Sequence, residues 1–182
     1  MSVLTLLPDD APLLRQVAAP VADPTAPAVA RLARDLAETM QVAQGRGIAA
    51  PQVGVGLRMI HFAALGGFTT LCNPGYVPLD AVLEGGFEGC LSLPGCRGSV
   101  PRWSRIAYWG VTPQGQRVER EADGIHARVV QHEVDHLLGI LYPDRMAPGT
   151  PLLDAAVLNA TMADTSMEAG APPAAPGRKE TA

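Results

Sequence analysis

The sequence HEVDH at residues 132–136 lies within a segment that has the apolar spacing of an α-helix. This helix is predicted to cover residues 124–138, with Gly139 as its stop signal. Residues four positions apart lie on the same face of a helix. The pattern therefore predicts that the imidazoles of His132 and His136 lie next to each other.

Two imidazoles in this arrangement can bind one metal ion at ~2 Å from each nitrogen. Glu133 lies beside them, close enough to act on a water molecule at the metal without being a ligand itself. This is the mechanism of the H-E-x-x-H motif. The alternative is two ordinary helix histidines with a solvated glutamate. The position of the motif on a strongly predicted helix favours the metal.

A catalytic site of this type needs a third protein ligand and one open position. The metzincin pattern would place a histidine at position 142, which is tyrosine here, and no histidine follows His136. The remaining candidates are a downstream acid such as Asp144 and a residue from elsewhere in the chain, with Cys90 the best of these. Cys90 follows Gly89, which suits a turn that presents a ligand, although a lone cysteine is more often a small buried apolar residue.

A glycine-rich turn, Gly45–Gln52, follows an amphipathic helix predicted over residues 26–44. The turn lacks the Lys-Ser/Thr ending of a phosphate loop and the third glycine of a dinucleotide-binding fingerprint. The side-chain amide of Gln52 could donate a hydrogen bond to a developing oxyanion. A helix end followed by a plain turn is the alternative.

Short strands separated by Gly and Pro are predicted through the middle of the chain, and a short helix is predicted at Ala11–Ala18. We expect an α+β fold, in which short antiparallel sheets wrap around a central metal-binding helix and a second helix packs outside. The predicted strands are Leu57–Phe62, Phe68–Cys72, Ser104–Trp109 and Gln116–Glu121.

Composition narrows the functional classes. The net charge of −4 gives no broad basic surface, so we expect no direct binding of nucleic acid. No stretch reaches the ~18 apolar residues of a membrane helix, and the first residues do not resemble a signal peptide. A cytoplasmic protein with no membrane association is therefore expected, and we expect it to be a monomer.

Three segments together resemble the motifs of the polypeptide deformylase family, G-x-G-x-A-A-x-Q, E-G-C-x-S and H-E-x-D-H. They occur here in the same order, at Gly45–Gln52, Glu88–Ser92 and His132–His136. Leu71–Pro74 and Leu13–Ala18 are also similar to family segments. The resemblance implies a peptide deformylase catalytic domain at residues 1–147 and a C-terminal tail at residues 148–182 that is partly helical or mobile.

The resemblance implies an enzyme that removes the formyl group from the N-terminal formylmethionine of nascent polypeptides and releases formate. One divalent metal ion per chain is implied, with Fe²⁺ expected and Zn²⁺, Ni²⁺ or Co²⁺ as alternatives in purified protein. Glu133 would transfer protons, and the Gln52 amide and the Leu91 backbone N–H would hold the oxyanion. The implied metal ligands are Cys90, His132 and His136.

The implied partner is an N-formylmethionyl nascent peptide that lies extended and pairs with the enzyme main chain. Arg46 and Arg128 depart from the family pattern near the expected methionine pocket. The ribosome is expected to be only a transient partner, because Arg178 and Lys179 are the only basic residues after Arg145. The residues expected to contact the peptide are Arg46, Gly47, Ile48, Gly89, Arg97, Ile125 and Val129.

Two rival functions share the metal-binding helix. A metalloprotease would use a histidine or an acid as third ligand in place of Cys90. A structural metal module would need a fourth protein ligand, for which His61 and His126 are the candidates.

Overall fold

Two helices and eight strands form the part of the chain that the computed structural model describes, residues 2–64 and 66–158. The helices are α1 (Pro27–Val42) and α2 (Gly124–His136). The strands are β1 (Gly47–Ala49), β2 (Met59–Ala64), β3 (Gly67–Pro78), β4 (Leu83–Cys90), β5 (Leu93–Trp103), β6 (Arg105–Val111), β7 (Arg117–Asp123) and β8 (Leu153–Asp154).

The strands form two antiparallel sheets. One has the order β1-β2-β3-β6-β7 and the other the order β4-β5-β8. Strand β1 lies at the edge of the first sheet and pairs with β2, Gly47 opposite Phe62. Strand β4 lies at the edge of the second sheet and pairs with β5. Each sheet therefore ends in a strand that has one neighbour among the described residues.

Helix α2 is central because both of its faces are covered. Its apolar face packs on the first sheet, where Val130 and Val134 join a core that contains Phe62 and Tyr108. Its polar face is also buried, and buried polar groups need hydrogen-bonding partners. The buried polar residues of α2 are Gln131, His132, Glu133, Asp135 and His136.

Helix α1 packs outside this arrangement. Leu36 and Met40 are buried against Ile48 of β1 and Met59 of β2 in a second apolar cluster. The prediction of antiparallel sheets around a metal-binding helix, with a second helix outside, is confirmed. The boundaries of both helices fall within two residues of the predicted ones.

Three local predictions differ from the structure. Only a 3-10 turn, Pro12–Arg15, forms where a helix was predicted at Ala11–Ala18. Strands β4 and β5 were not predicted, because their glycines and prolines hide the alternation of a strand. The C-terminal segment forms β8 before its helical turn at residues 155–158, and the rest of the predicted tail lies outside the described residues.

Candidate metal centre

Three candidate ligand atoms meet between α2 and the end of β4. The Cys90 Sγ and one ring nitrogen each of His132 and His136 lie within 4.8 Å of one another. Cys90 is the last residue of β4, and a two-residue turn, Leu91-Ser92, leads from it into β5. All three side chains are buried. The structure therefore brings together the cysteine and the two histidines that sequence analysis chose as ligands.

The donor set fits a catalytic metal ion. The Sγ of Cys90 lies 3.3 Å from Nε2 of His136, and Nδ1 of His132 lies 2.8 Å from a carboxylate oxygen of Glu88. A carboxylate on one ring nitrogen orients the ring and leaves the other nitrogen free for a metal. One thiolate and two imidazoles make three protein ligands, which leaves one position for water or substrate.

The two histidines differ in electrostatic environment when no cation is bound. Burial lowers the pKa of His136 well below its ordinary value, and the neighbouring His132 adds to this effect. Burial alone would also lower the pKa of His132, but its hydrogen bonds with Cys90 and Glu88 outweigh burial and raise that pKa to about 10. A cation bound at this place would replace the proton that His132 holds.

Glu133 is the acid beside the ligands. Its side chain is buried, and one of its carboxylate oxygens, Oε2, has no hydrogen-bond partner among the described residues. Burial raises the pKa of this carboxyl to about 7. Gly47 makes room for it, because a Cβ atom at position 47 would lie 2.2 Å from the Oε1 atom of Glu133.

Gln52 connects the glycine-rich turn to the ligands. Its Oε1 accepts a hydrogen bond of 2.8 Å from the backbone N–H of Ala49, which fixes the orientation of the amide. Its Nε2 then faces Cys90 Sγ and Ser92 Oγ, each at 3.3 Å. The amide nitrogen of Gln52 therefore lies next to the candidate metal ligands.

Glu88 is a functional residue whose partners were not predicted from the sequence. Arg102 of β5 donates two hydrogen bonds to its carboxylate, from Nε and Nη2, both at 2.9 Å. The same guanidinium donates to Asp135 of α2, which also accepts from Arg145. Burial alone would raise the pKa of Glu88, but its hydrogen bonds and charge interactions with His132 and Arg102 outweigh burial and lower that pKa to about 2.

Arg128 adds a further bond to this network and bridges α2 to β4. Its Nη1 donates to Glu88 at 2.9 Å and to the carbonyl of Val100 at 2.8 Å. Its Nη2 donates to the carbonyl of Glu84 at 2.7 Å. The guanidinium lies over Gly86, where a Cβ atom would be 2.7 Å from Nη2. The absence of a side chain at Gly86 therefore makes room for the guanidinium of Arg128.

A cleft of about 960 Å³ opens onto the ligands. Ile48 does not line it, since its side chain is buried in the cluster beneath α1, so only its backbone is available to a peptide. Leu6, Phe87 and Leu158 line the cleft but were not predicted. The predicted site residues that do line it are Arg46, Gly47, Gln52, Gly89, Cys90, Leu91, Arg97, Ile125, Val129, His132 and Glu133.

The alternative ligands lie elsewhere. Asp144 accepts hydrogen bonds from Arg15 and from the backbone N–H of Leu141. His61 bonds to Thr70, and His126 contacts aromatic rings of the core. Within the described part of the chain, none of these side chains belongs to the cluster that could hold a metal.

A buried Cys-His-His ligand set, in which both histidines and an adjacent acid lie on an H-E-x-x-H helix, is typical of metal-dependent hydrolases. The model of one family, polypeptide deformylase, matches residues 3–151. The chain belongs to the polypeptide deformylase family. Enzymes of this family depend on a metal and remove the formyl group from the N-terminus of nascent polypeptides, and this is the reaction that the chain catalyses.

Individual relatives agree with the family match. Peptide deformylase 2 of Bordetella bronchiseptica is 52% identical, with 74% of this chain and 82% of that protein covered. Peptide deformylase 2 of Ralstonia nicotianae is 47% identical, with 75% and 82% covered.

Solved structures share the fold. The peptide deformylase of Thermotoga maritima is 34% identical with a TM-score of 0.78, covering 81% of this chain and all (100%) of that one. The Met-Ala-Ser-bound class I type b peptide deformylase of Acinetobacter baumannii is 35% identical with a TM-score of 0.75, covering 80% and 99%.

Substituting Gly47→Ala should move the Glu133 carboxylate, because the added Cβ and Oε1 cannot occupy the same place. We expect kcat for formate release to fall by ~10²-fold, the lower end of the contribution of a positioned proton-transfer group. Metal content should stay unchanged. The control is Gly85→Ala in β4, where the added methyl has its nearest neighbour, Ser99 Oγ, at 3.8 Å. Equal activity of the two variants would contradict this prediction.

Substituting Arg102→Met should lower the free energy of unfolding by ~3–5 kcal/mol, because it leaves the buried carboxylates of Glu88 and Asp135 short of a partner. The matched control is Arg105→Met, which removes an exposed ion pair with Glu121 and should cost ~0–1 kcal/mol. Urea unfolding of samples with measured metal content compares the two. The network has no such role if both variants lose the same stability.

Proposed function

We propose that this enzyme is an iron-dependent deformylase of the cytoplasm, in which Cys90, His132 and His136 bind the metal and Glu133 transfers protons. The observation that carries the proposal is the convergence of the three ligand atoms within 4.8 Å, beside a buried acid. The substrate is the N-terminal formylmethionine of a nascent polypeptide, and the products are formate and a free amino group.

A bound divalent metal ion supplies Lewis-acid activation of water and of the formyl oxygen. Glu133 accepts a proton as water attacks the formyl carbon, and delivers that proton to the methionine nitrogen when the C–N bond breaks. The raised pKa of Glu133 suits a group that must both accept and donate a proton. The side-chain amide of Gln52 and the backbone N–H of Leu91 hold the oxyanion of the tetrahedral intermediate.

The peptide binds as an added strand between the two sheets. Strands β1 and β4 each have one neighbour among the described residues, and both border the cleft, through Gly47 and Gly89. Main-chain pairing with Arg46–Ile48 and Gly89 gives affinity that does not depend on sequence. The Acinetobacter baumannii relative with bound Met-Ala-Ser supports a site that accepts a short peptide.

The methionine side chain binds among apolar residues of the cleft. Ile125 and Val129 project from α2, and Leu91 projects from the β4–β5 turn. Arg128 lies at the same wall, but its guanidinium is occupied by Glu88 and three backbone carbonyls, which leaves its aliphatic stem for the pocket. Arg97 contacts the peptide downstream of methionine.

Iron is proposed because the resemblance to the family implies Fe²⁺. Thiolate and imidazole ligands are compatible with Fe²⁺, and also with Zn²⁺, Ni²⁺ and Co²⁺. The cytoplasm is proposed because nascent formylated chains are the substrate. In the described residues, every helix is too short or too polar to cross a membrane. We further propose a monomer that meets the ribosome transiently, with its catalytic domain at residues 1–147 and a tail at residues 148–182. The family match to residues 3–151 covers nearly all of that catalytic domain and the first four residues of the tail.

Two variants should separate metal binding from proton transfer. Cys90→Ala removes one of three ligands, so we expect loss of bound metal and of activity. Glu133→Gln keeps the ligands, so metal content should remain while kcat falls by ~10²–10⁴-fold. Elemental analysis and formate release from formyl-Met-Ala-Ser are measured on the same samples. Full metal in Cys90→Ala, or an active Glu133→Gln, would overturn the assigned roles.

The proposed metal has its own test. Protein purified without oxygen should contain about one iron per chain and release formate, and a chelator should remove both metal and activity. Re-addition of Fe²⁺ should restore activity, with Zn²⁺, Ni²⁺ and Co²⁺ measured in parallel. If zinc fills the site under anaerobic conditions and the zinc protein is as active as the iron protein, the iron assignment is wrong.

A further inference from the structure

The segment after the last family motif returns to the cleft. Strand β8 pairs with the edge of β5, with Leu153 opposite Arg97 and Asp154 opposite Cys96. Arg97 itself lines the cleft. The C-terminal segment is therefore attached to the second sheet next to the site, on the side of β5 that faces away from β4.

The direction of β8 carries the chain towards the site. Because the pairing is antiparallel, residues after Asp154 run towards Gly95 and Pro94, which line the cleft near the β4–β5 turn. The Asp154 carboxylate accepts hydrogen bonds from the backbone N–H of Ala156 at 2.7 Å and of Val157 at 3.2 Å. These bonds are those of a helix N-cap, and they fix the start of the turn at residues 155–158.

This path brings Leu158 to the cleft. It lines the same cleft as the metal ligands Cys90 and His132, together with Pro94 and Arg97, and its side chain is half-buried there. Ile125 and Val129, which line the proposed pocket for methionine, project from α2. Leu158 lies instead on the segment that pairs with β5. Because these three residues line one cleft, an extended peptide that fills the cleft would lie beside both α2 and Leu158.

We infer that Leu158 determines specificity for the residues that follow methionine in the substrate, by providing an apolar contact for apolar side chains there. This inference rests on the proposed function, because it needs a peptide bound along the cleft. The contact gives a role to the pairing of β8 with β5 and to the helix cap at Asp154, both of which lie beyond the catalytic motifs. It also predicts a preference that main-chain pairing alone cannot give.

The test compares two substrates, formyl-Met-Leu-Leu and formyl-Met-Ser-Ser, in the metal-loaded full-length enzyme. Leu158→Ala should raise KM for the leucine peptide by about 10-fold, the lower end of what one apolar contact discriminates, with kcat unchanged. KM for the serine peptide should change by less than about 2-fold, because serine side chains have little apolar surface to bury against position 158. Leu158→Met, which keeps the apolar bulk, should behave as the wild type.

Leu152→Ala is the matched control, since Leu152 precedes β8 and does not line the cleft. It should leave both substrates unchanged. Asp154→Ala removes the cap and should also raise KM for the leucine peptide, with KM for the serine peptide again nearly unchanged. Equal effects of Leu158→Ala on both peptides, or no effect on either, would overturn the inference. Failure of the wild type to release formate from either peptide would instead refute the proposed function, and the inference with it.

Discussion

The carboxylate of Glu88 is the group on which the geometry of the site depends. It accepts hydrogen bonds from Arg102 and Arg128 and contacts His132, so one side chain joins β4, β5 and α2. Taking such charges out of water is costly, and only a nearly complete set of partners offsets that cost. The network therefore favours a single relative position of the second sheet and α2. That position places Cys90, two residues further along β4, against the histidines.

The same network explains why α2 can be buried on both faces. Asp135 lies in the sequence between the two candidate metal ligands, His132 and His136, and accepts hydrogen bonds from Arg102 and Arg145, while His132 contacts Glu88. Arg128, His132 and Asp135 thus have partners on other elements. Among the described residues, His136 Nδ1 and Glu133 Oε2 are buried without a hydrogen-bond partner. An unpartnered buried carboxylate oxygen suits the proposed role of Glu133 in proton transfer.

The residues of the candidate metal cluster could be predicted from the sequence, because each belongs to a short local motif. Helical periodicity predicted His132 and His136. Cys90 was predicted from the glycine that precedes it and from the resemblance to the polypeptide deformylase family. The partners of Glu88 could not be found in this way, because Arg102 lies 14 positions away and His132 lies 44 positions away. No periodicity connects such positions.

Strands β4 and β5 escaped prediction for a related reason. Gly85, Gly86 and Gly89 occupy β4 in place of the side chains that would show a strand pattern. Neighbouring side chains leave no room for a larger residue at two of these positions. A Cβ atom at Gly86 would collide with Arg128, and one at Gly89 would collide with Arg97. The residues that make the site accessible and well packed are thus the ones that remove the sequence signal of the strand.

Position 47 shows the same conflict of demands at a single residue. Its backbone lies on the edge strand β1, where the proposed peptide would approach closely. The Glu133 carboxylate occupies the space that a side chain at position 47 would need. A larger residue would keep the strand but displace the acid. A shorter acid at position 133 would fit a larger residue but reach less far towards the metal site. The edge strand β1 and helix α2 are therefore matched through one glycine, which links the proposed site of peptide pairing to the position of the Glu133 carboxylate.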